Sequence, residues 1–205
     1  MNDAMKKLIE NMQPAFTEAL VKWIQVPSVK GDPAEGAPFG REVRTMLDAA
    51  LADAEAMGFT TRNFDGYAGD VTLAGESDEA VAVLAHLDVV PAGDGWQMPP
   101  FGAVIDGDRI YGRGTSDDQG PALAALFAMK AVKDAGIPLR KSIRLILGCD
   151  EESGWEDMEY YCKHADMPAM GFSPDASYPV INTEKGLLHL TIHGKTAQQG
   201  VQVLR

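Results

Sequence analysis

Apolar residues recur at helical spacing over residues 3–25, where Met5, Leu8, Ile9, Met12, Phe16, Leu20, Trp23 and Ile24 share one face. Pro14 is expected to kink or divide that helix. Val26-Pro27-Ser28 ends it, and a loop rich in Gly and Pro leads to a second amphipathic helix over residues 41–57. Val43, Met46, Leu47, Ala50, Leu51 and Ala54 are its inward side, and Gly58 suits its C-terminal cap. Two short β segments, 60–65 and 70–74, precede the stretch V-A-V-L-A-H-L-D-V-V-P at 81–91. Its first five residues are apolar, the pattern of a strand covered on both faces of a sheet. His86 and Asp88 then end it two residues apart, so an extended backbone projects both to one side.

Beyond a long loop at 92–102, residues 103–111 alternate about Asp106-Gly107-Asp108 as a hairpin. Pro121 can open a helix over 122–133 that is nearly apolar all round, which predicts burial, and Gly136 ends it. A second core strand, S-I-R-L-I-L-G at 142–148, runs into Cys149-Asp150-Glu151-Glu152. A short helix at 157–164, a strand from 171 ending in Asp175, and an alternating strand at 186–193 follow. Strand, helix, strand implies a right-handed crossover and parallel pairing. The predicted class is α/β, a mixed, mainly parallel twisted sheet flanked by helices. Parallel strands deliver their carboxyl ends to one edge, so Asp150, Glu151 and Glu152 are expected beside His86 and Asp88.

A chain of 205 residues can bury one good core and begin a second domain. Its net charge of -12 argues against a nucleic-acid or anionic-membrane partner, no apolar run can span a bilayer, and the charged opening lacks a secretory core, so a cytoplasmic protein is expected. Cys149 and Cys162 are too few for a disulfide scaffold and are expected reduced and buried. Gly112-Arg113-Gly114 invites a dinucleotide-loop reading, but the third glycine would fall on Asp117, and a carboxylate there repels a pyrophosphate. The informative feature is the grouping of acids: Asp88, Asp117, Asp118, Asp150, Glu151, Glu152 and Asp175 around one imidazole. Gathered at one edge they repel one another, and a divalent metal removes the conflict. Mixed N/O ligands suit zinc and, with a bridging carboxylate, a two-metal hydrolytic site. Taken singly, each acidic doublet also fits a solvated loop.

Four motifs in order, A-H-L-D-V-V-P, G-R-G-T-S-D-D-Q-G-P, D-E-E-S-G and S-P-D, resemble the M20 zinc metallopeptidase family, which includes aminoacylases, desuccinylases and dipeptidases. The resemblance runs from W-I-Q-V-P-S-V at 23–29 to about Gly194 and is strongest to the PepV-type dipeptidases. It implies two Zn2+ ions per complete site, with Co2+ or Mn2+ as alternatives. His86, Asp117 and Asp175 would hold one, and Asp117 would bridge to a second held also by Glu152. Glu151 would be the general base toward the attacking water, Asp88 would fix the tautomer and angle of His86, and the Asp117–Asp118 peptide would be cis. Gln119 departs from the Lys common at that position in relatives.

Family members continue into a lid domain and then return, supplying a further histidine to the second metal. Both parts are expected to lie beyond this chain, with residues 1–185 as the first part of the catalytic domain and 186–205 as its final strand and the start of the lid. His164, His189 and His193 match no ligand motif. Uncovered apolar surface and strand edges predict self-association. The expected activity is amide hydrolysis of dipeptides. Two alternatives stay open: hydrolysis of N-acyl amino acids, as in deacylases and desuccinylases, and a non-catalytic metal-binding remnant that acts by association.

Overall fold

Two seven-residue apolar strands, β3 (Ala80–His86) and β6 (Ser142–Gly148), lie side by side and parallel, with Ala80 opposite Ser142 and His86 opposite Gly148. Their alternation builds the layers. Val83, Ala85, Leu145 and Leu147 face one core, shared with α1 (Asp3–Ile24), α2 (Arg41–Ala56) and α3 (Gln119–Asp134). Ala82 and Ile146 face the other, shared with Tyr161 of α4 (Glu156–His164). Burying a side chain such as Leu145 or Leu147, neither of which keeps exposed surface, contributes about 1.5–3 kcal/mol.

In this computed structural model the described residues are 3–186, 188 and 190. The chain divides into two units, Met1–Asp175 and Ala176–Arg205. In the larger, β1 (Thr60–Phe64), β2 (Ala68–Leu73), β3, β6 and β7 (Met170–Phe172) form one sheet in the order β1-β2-β6-β3-β7. The sheet is mixed, as expected: β3 pairs in parallel with β6 and β7, whereas β1–β2 and β2–β6 are antiparallel. The short turn between β1 and β2 forces the first antiparallel pair, and parallel pairing belongs to the half that carries the acids. The hairpin of β4 (Val104–Asp106) and β5 (Arg109–Tyr111) stands apart, turning at Gly107 with φ 61.

Three expectations need correction. Helix α1 is not divided at Pro14. The proline is exposed, so water can meet the Glu10 carbonyl that loses its helical donor. Helix α3 starts at Gln119 and buries one face, leaving Ala124 and Ala128 exposed. Its methyl groups cost little in water, so near-uniform apolarity overstated its burial. Both cysteines are free, and Cys149 is buried, but Cys162 is exposed because Asp157 and Tyr161 take the inward side of α4. Gly58 caps α2 as expected, with φ 78 and its N–H on the Glu55 carbonyl at 2.8 Å.

In the smaller unit the Tyr178–Pro179 peptide is cis. The strand expected at 186–193 lies largely outside the described residues, as do His189, His193 and residues 195–205. Among the described residues no helix is long and apolar enough to cross a membrane.

Candidate metal centre

His86 closes β3 with only 3% of its surface exposed. Its Nδ1 lies 2.9 Å from the Asp88 carbonyl oxygen, which can only accept, so Nδ1 carries the hydrogen. The other ring nitrogen, Nε2, is thereby turned toward acids. Asp117 Oδ1 is 3.1 Å away, Asp175 Oδ2 3.5 Å and Glu151 Oε2 3.9 Å. Glu152 joins His86 and Asp117 in a second set, and in each set, His86–Glu151–Asp175 and His86–Asp117–Glu152, the donor atoms lie within 4.8 Å of one another. The parallel register explains the meeting: β3 and β6 end level, so the residues after Gly148 emerge beside His86.

Asp88 does more than face the imidazole. Its carboxylate, 1% exposed, is 3.4 Å from Nδ1 and accepts the N–H groups of Glu151 and Glu152, each at 3.1 Å. One buried side chain therefore fixes both the histidine and the backbone of the acidic pair. The Asp117–Asp118 peptide is cis, as the resemblance implied. Asp117 is exposed toward the centre, while Asp118 is buried behind it, with its Oδ2 accepting the His86 N–H at 3.1 Å.

The charges are in conflict. Burial, joined by the charges of Asp175 and Asp117, pushes Asp118 up to about 7 against the opposing hydrogen bond and charge of His86. Glu151 and Glu152 are both raised, by burial first and then by neighbouring acids. Burial works against charge on His86, but Asp88, Asp118 and Glu151 together raise it to about 10. Protons thus hold the place that a cation would fill. One imidazole nitrogen among carboxylate oxygens is a donor set for zinc or a similar divalent ion, and these residues fit one.

Not every expected acid takes part. Asp150 turns away from the centre: its Oδ1 receives Lys30 Nζ at 2.6 Å and its Oδ2 the Glu156 N–H at 3.2 Å. Lys30 and Asp150 are 120 residues apart, and nothing local in either segment signals the pair. Gln119 is buried, and its Nε2 donates to Ser28 Oγ at 2.9 Å and the Leu87 carbonyl at 3.3 Å, tying the start of α3 to the loop that follows β3. His164 is exposed on α4, stacks on Tyr160 at 4.0 Å and joins neither of the two donor sets.

A mixed sheet thus gathers an imidazole and carboxylates where its parallel strands end, a donor set that suits a divalent metal. Residues 82–195, more than half of the chain, match Peptidase family M20/M25/M40, and the chain belongs to that family. It is 51% identical over 157 residues to "Putative dipeptidase YtjP" of Bacillus subtilis, covering 77% of this chain and 34% of that protein. It is 40% identical over 188 residues to the Beta-Ala-Xaa dipeptidase of Lactobacillus delbrueckii subsp. lactis, covering 90% of this chain and 40% of that protein. The chain therefore spans between about a third and two-fifths of these relatives. Among solved structures, the di-peptidase Dug1p of Saccharomyces cerevisiae superposes with a TM-score of 0.67 at 25% identity, over 78% of this chain and 37% of that one. Human carnosine dipeptidase 1 shares the fold with a TM-score of 0.66 at 24% identity, over 80% of this chain and 38% of that one.

Proposed function

We propose that this chain carries the metal-binding part of a dipeptidase that hydrolyses the amide bond of dipeptides with zinc. The observation that carries the reading is the meeting of His86, Asp117, Glu152 and Asp175, the donors, with Glu151, free to serve as base, in two sets that share His86. The names of the relatives supply the substrate class. Zinc bound there would acidify a water and polarise the scissile carbonyl. His86 offers the Nε2 lone pair, held outward because Nδ1 is engaged by Asp88. Asp117 and Glu152 complete the second set with His86, and Asp117 would serve both ions where two are bound.

Glu151 is the general base. Its carboxyl is raised toward neutrality by burial and by Asp175 and Glu152, which suits an oxygen that must take a proton from water and then release it. Oε2 receives that proton and passes it to the nitrogen of the leaving amine. Asp88 keeps the Glu151 backbone still through its N–H while this happens. Zinc titration of the chain by calorimetry tests the reading, with His86→Ala as comparison. Tight uptake by the wild type that is lost in the variant is expected. A wild type that takes up no zinc, or a His86→Ala chain that binds it equally well, would sink the proposal.

A further inference from the structure

Four consecutive backbone N–H groups, from Cys149 to Glu152, each point at a buried carboxylate oxygen. Asp88 holds the last two, and Asp157 Oδ2 holds the first two, from Cys149 at 2.7 Å and Asp150 at 3.0 Å. Asp157 is 1% exposed, and among the described residues no cation pairs with it. An acid in the first turn of a helix ordinarily needs no further account than the favourable charge at that end. This one spends one oxygen on the Met158 N–H at 2.7 Å and turns the other back onto the end of β6.

Two further features belong to the same device. Gly148 leaves the room that the carboxylate occupies, since a Cβ there would lie 2.6 Å from Asp157 Oδ2. Tyr161, one turn along α4 and without exposed surface, packs edge-on against Phe64 at 4.7 Å and donates to Asp70 Oδ2 at 3.1 Å. The ring packing seats α4, and with it Asp157, against the sheet.

We propose that Asp157 is a positioning residue for the Glu151–Glu152 pair, its carboxylate fixing the backbone from which both side chains enter the centre. Without it the N–H groups of Cys149 and Asp150 would lose their acceptor, and two adjacent glutamates with unlike duties require a defined backbone direction. The hold on the backbone is independent of any metal. Its consequence for zinc rests on the function proposed above.

The test compares Asp157→Asn and Gly148→Ala, which remove or displace the carboxylate by different routes, with Tyr161→Phe as a control that removes only the hydroxyl and keeps the ring packing that seats α4. Amide hydrogen exchange at Cys149 and Asp150 is followed in the metal-free chain, and zinc affinity by calorimetry. Both carboxylate variants should exchange faster at these two amides and bind zinc about 10- to 100-fold more weakly, while Tyr161→Phe changes neither. Folded Asp157→Asn with unchanged exchange, or Tyr161→Phe with an equal loss of zinc affinity, would overturn the assignment. A wild type that binds no zinc would remove the metal centre. Exchange would then decide Asp157 separately, faster rates in Asp157→Asn upholding its hold on the pair and unchanged rates overturning it.

Discussion

Asp118→Asn should stabilise the metal-free chain at alkaline pH and leave it nearly unchanged at acid pH. Asp118 has no exposed surface, its Oδ2 accepts the His86 N–H, and among the described residues its Oδ1 has no hydrogen-bond partner. Its carboxyl is raised from an ordinary 3.8 to about 7, by burial first and then by Asp175 and Asp117. A folded value above the unfolded one means that folding favours the protonated form. Stability is therefore full below 3.8 and is lost as pH rises through about 7. Each pH unit within that window removes about 1.4 kcal/mol, so between pH 5 and the alkaline side of 7 the group removes about 3 kcal/mol. Asparagine has the same shape and never ionises, so the variant escapes this loss. For a chain of this size the gain in Tm of variant over wild type, between about pH 5 and pH 8, is roughly 6–12 °C. His86, raised from 6.5 to about 10 with Asp118 among the causes, is coupled to the same titration, so the comparison is confined to pH values up to about 8, well below the value at which His86 gives up its proton in the wild type. Thermal melts in chelator at several pH values measure the difference directly. A gap between variant and wild type that is the same at acid and alkaline pH would refute the reasoning.

Zinc uptake near neutral pH should release protons, because His86 and Asp118 hold them in the metal-free centre; calorimetry in buffers of different ionisation enthalpy counts them, and an uptake with no release would contradict the raised values. In any form of the protein that turns over dipeptides, Glu151→Gln should keep its zinc and lose turnover by about two to four orders of magnitude, whereas Glu152→Gln should lose zinc. Equal metal content and equal activity in the two variants would reverse that division of roles. Leu145→Ala, at a position without exposed surface on the inner face of β6, should cost about 2–5 kcal/mol in denaturant unfolding, and a loss below 1 kcal/mol would place the core elsewhere. β7 ends the sheet with Met170 and Phe172 exposed, so sedimentation should show concentration-dependent self-association that Phe172→Lys weakens; a monodisperse wild type would remove that expectation.

Much of the centre was legible in the sequence. The apolar runs ending in A-H-L-D and in C-D-E-E, joined by a helix, were enough to predict parallel strands, and parallel strands of equal length end together. Strand ends and one acidic loop thus grouped His86 with the acids, and the family resemblance singled out Asp117, Glu151, Glu152 and Asp175 among them. Helical periodicity likewise gave α2, and the turn at Gly107 gave the hairpin, because both signals lie within a few residues.

Tertiary structure alone decided which oxygens serve the backbone and which face the centre. Asp88 and Asp150 belong to the acids grouped from the sequence, and Asp157 carries no local signal of its place. Each is instead consumed by partners far away in sequence: Asp88 by Glu151 and Glu152, Asp150 by Lys30, and Asp157 by the end of β6. The strand order is of the same kind, since β6 inserts between β2 and β3 and no local pattern carries that choice. The physical reason is common to all of them. A buried N–H must find an acceptor wherever the folded chain offers one, and which carboxylate meets it depends on the register of strands and the seating of α4, quantities that exist only after the chain has closed on itself.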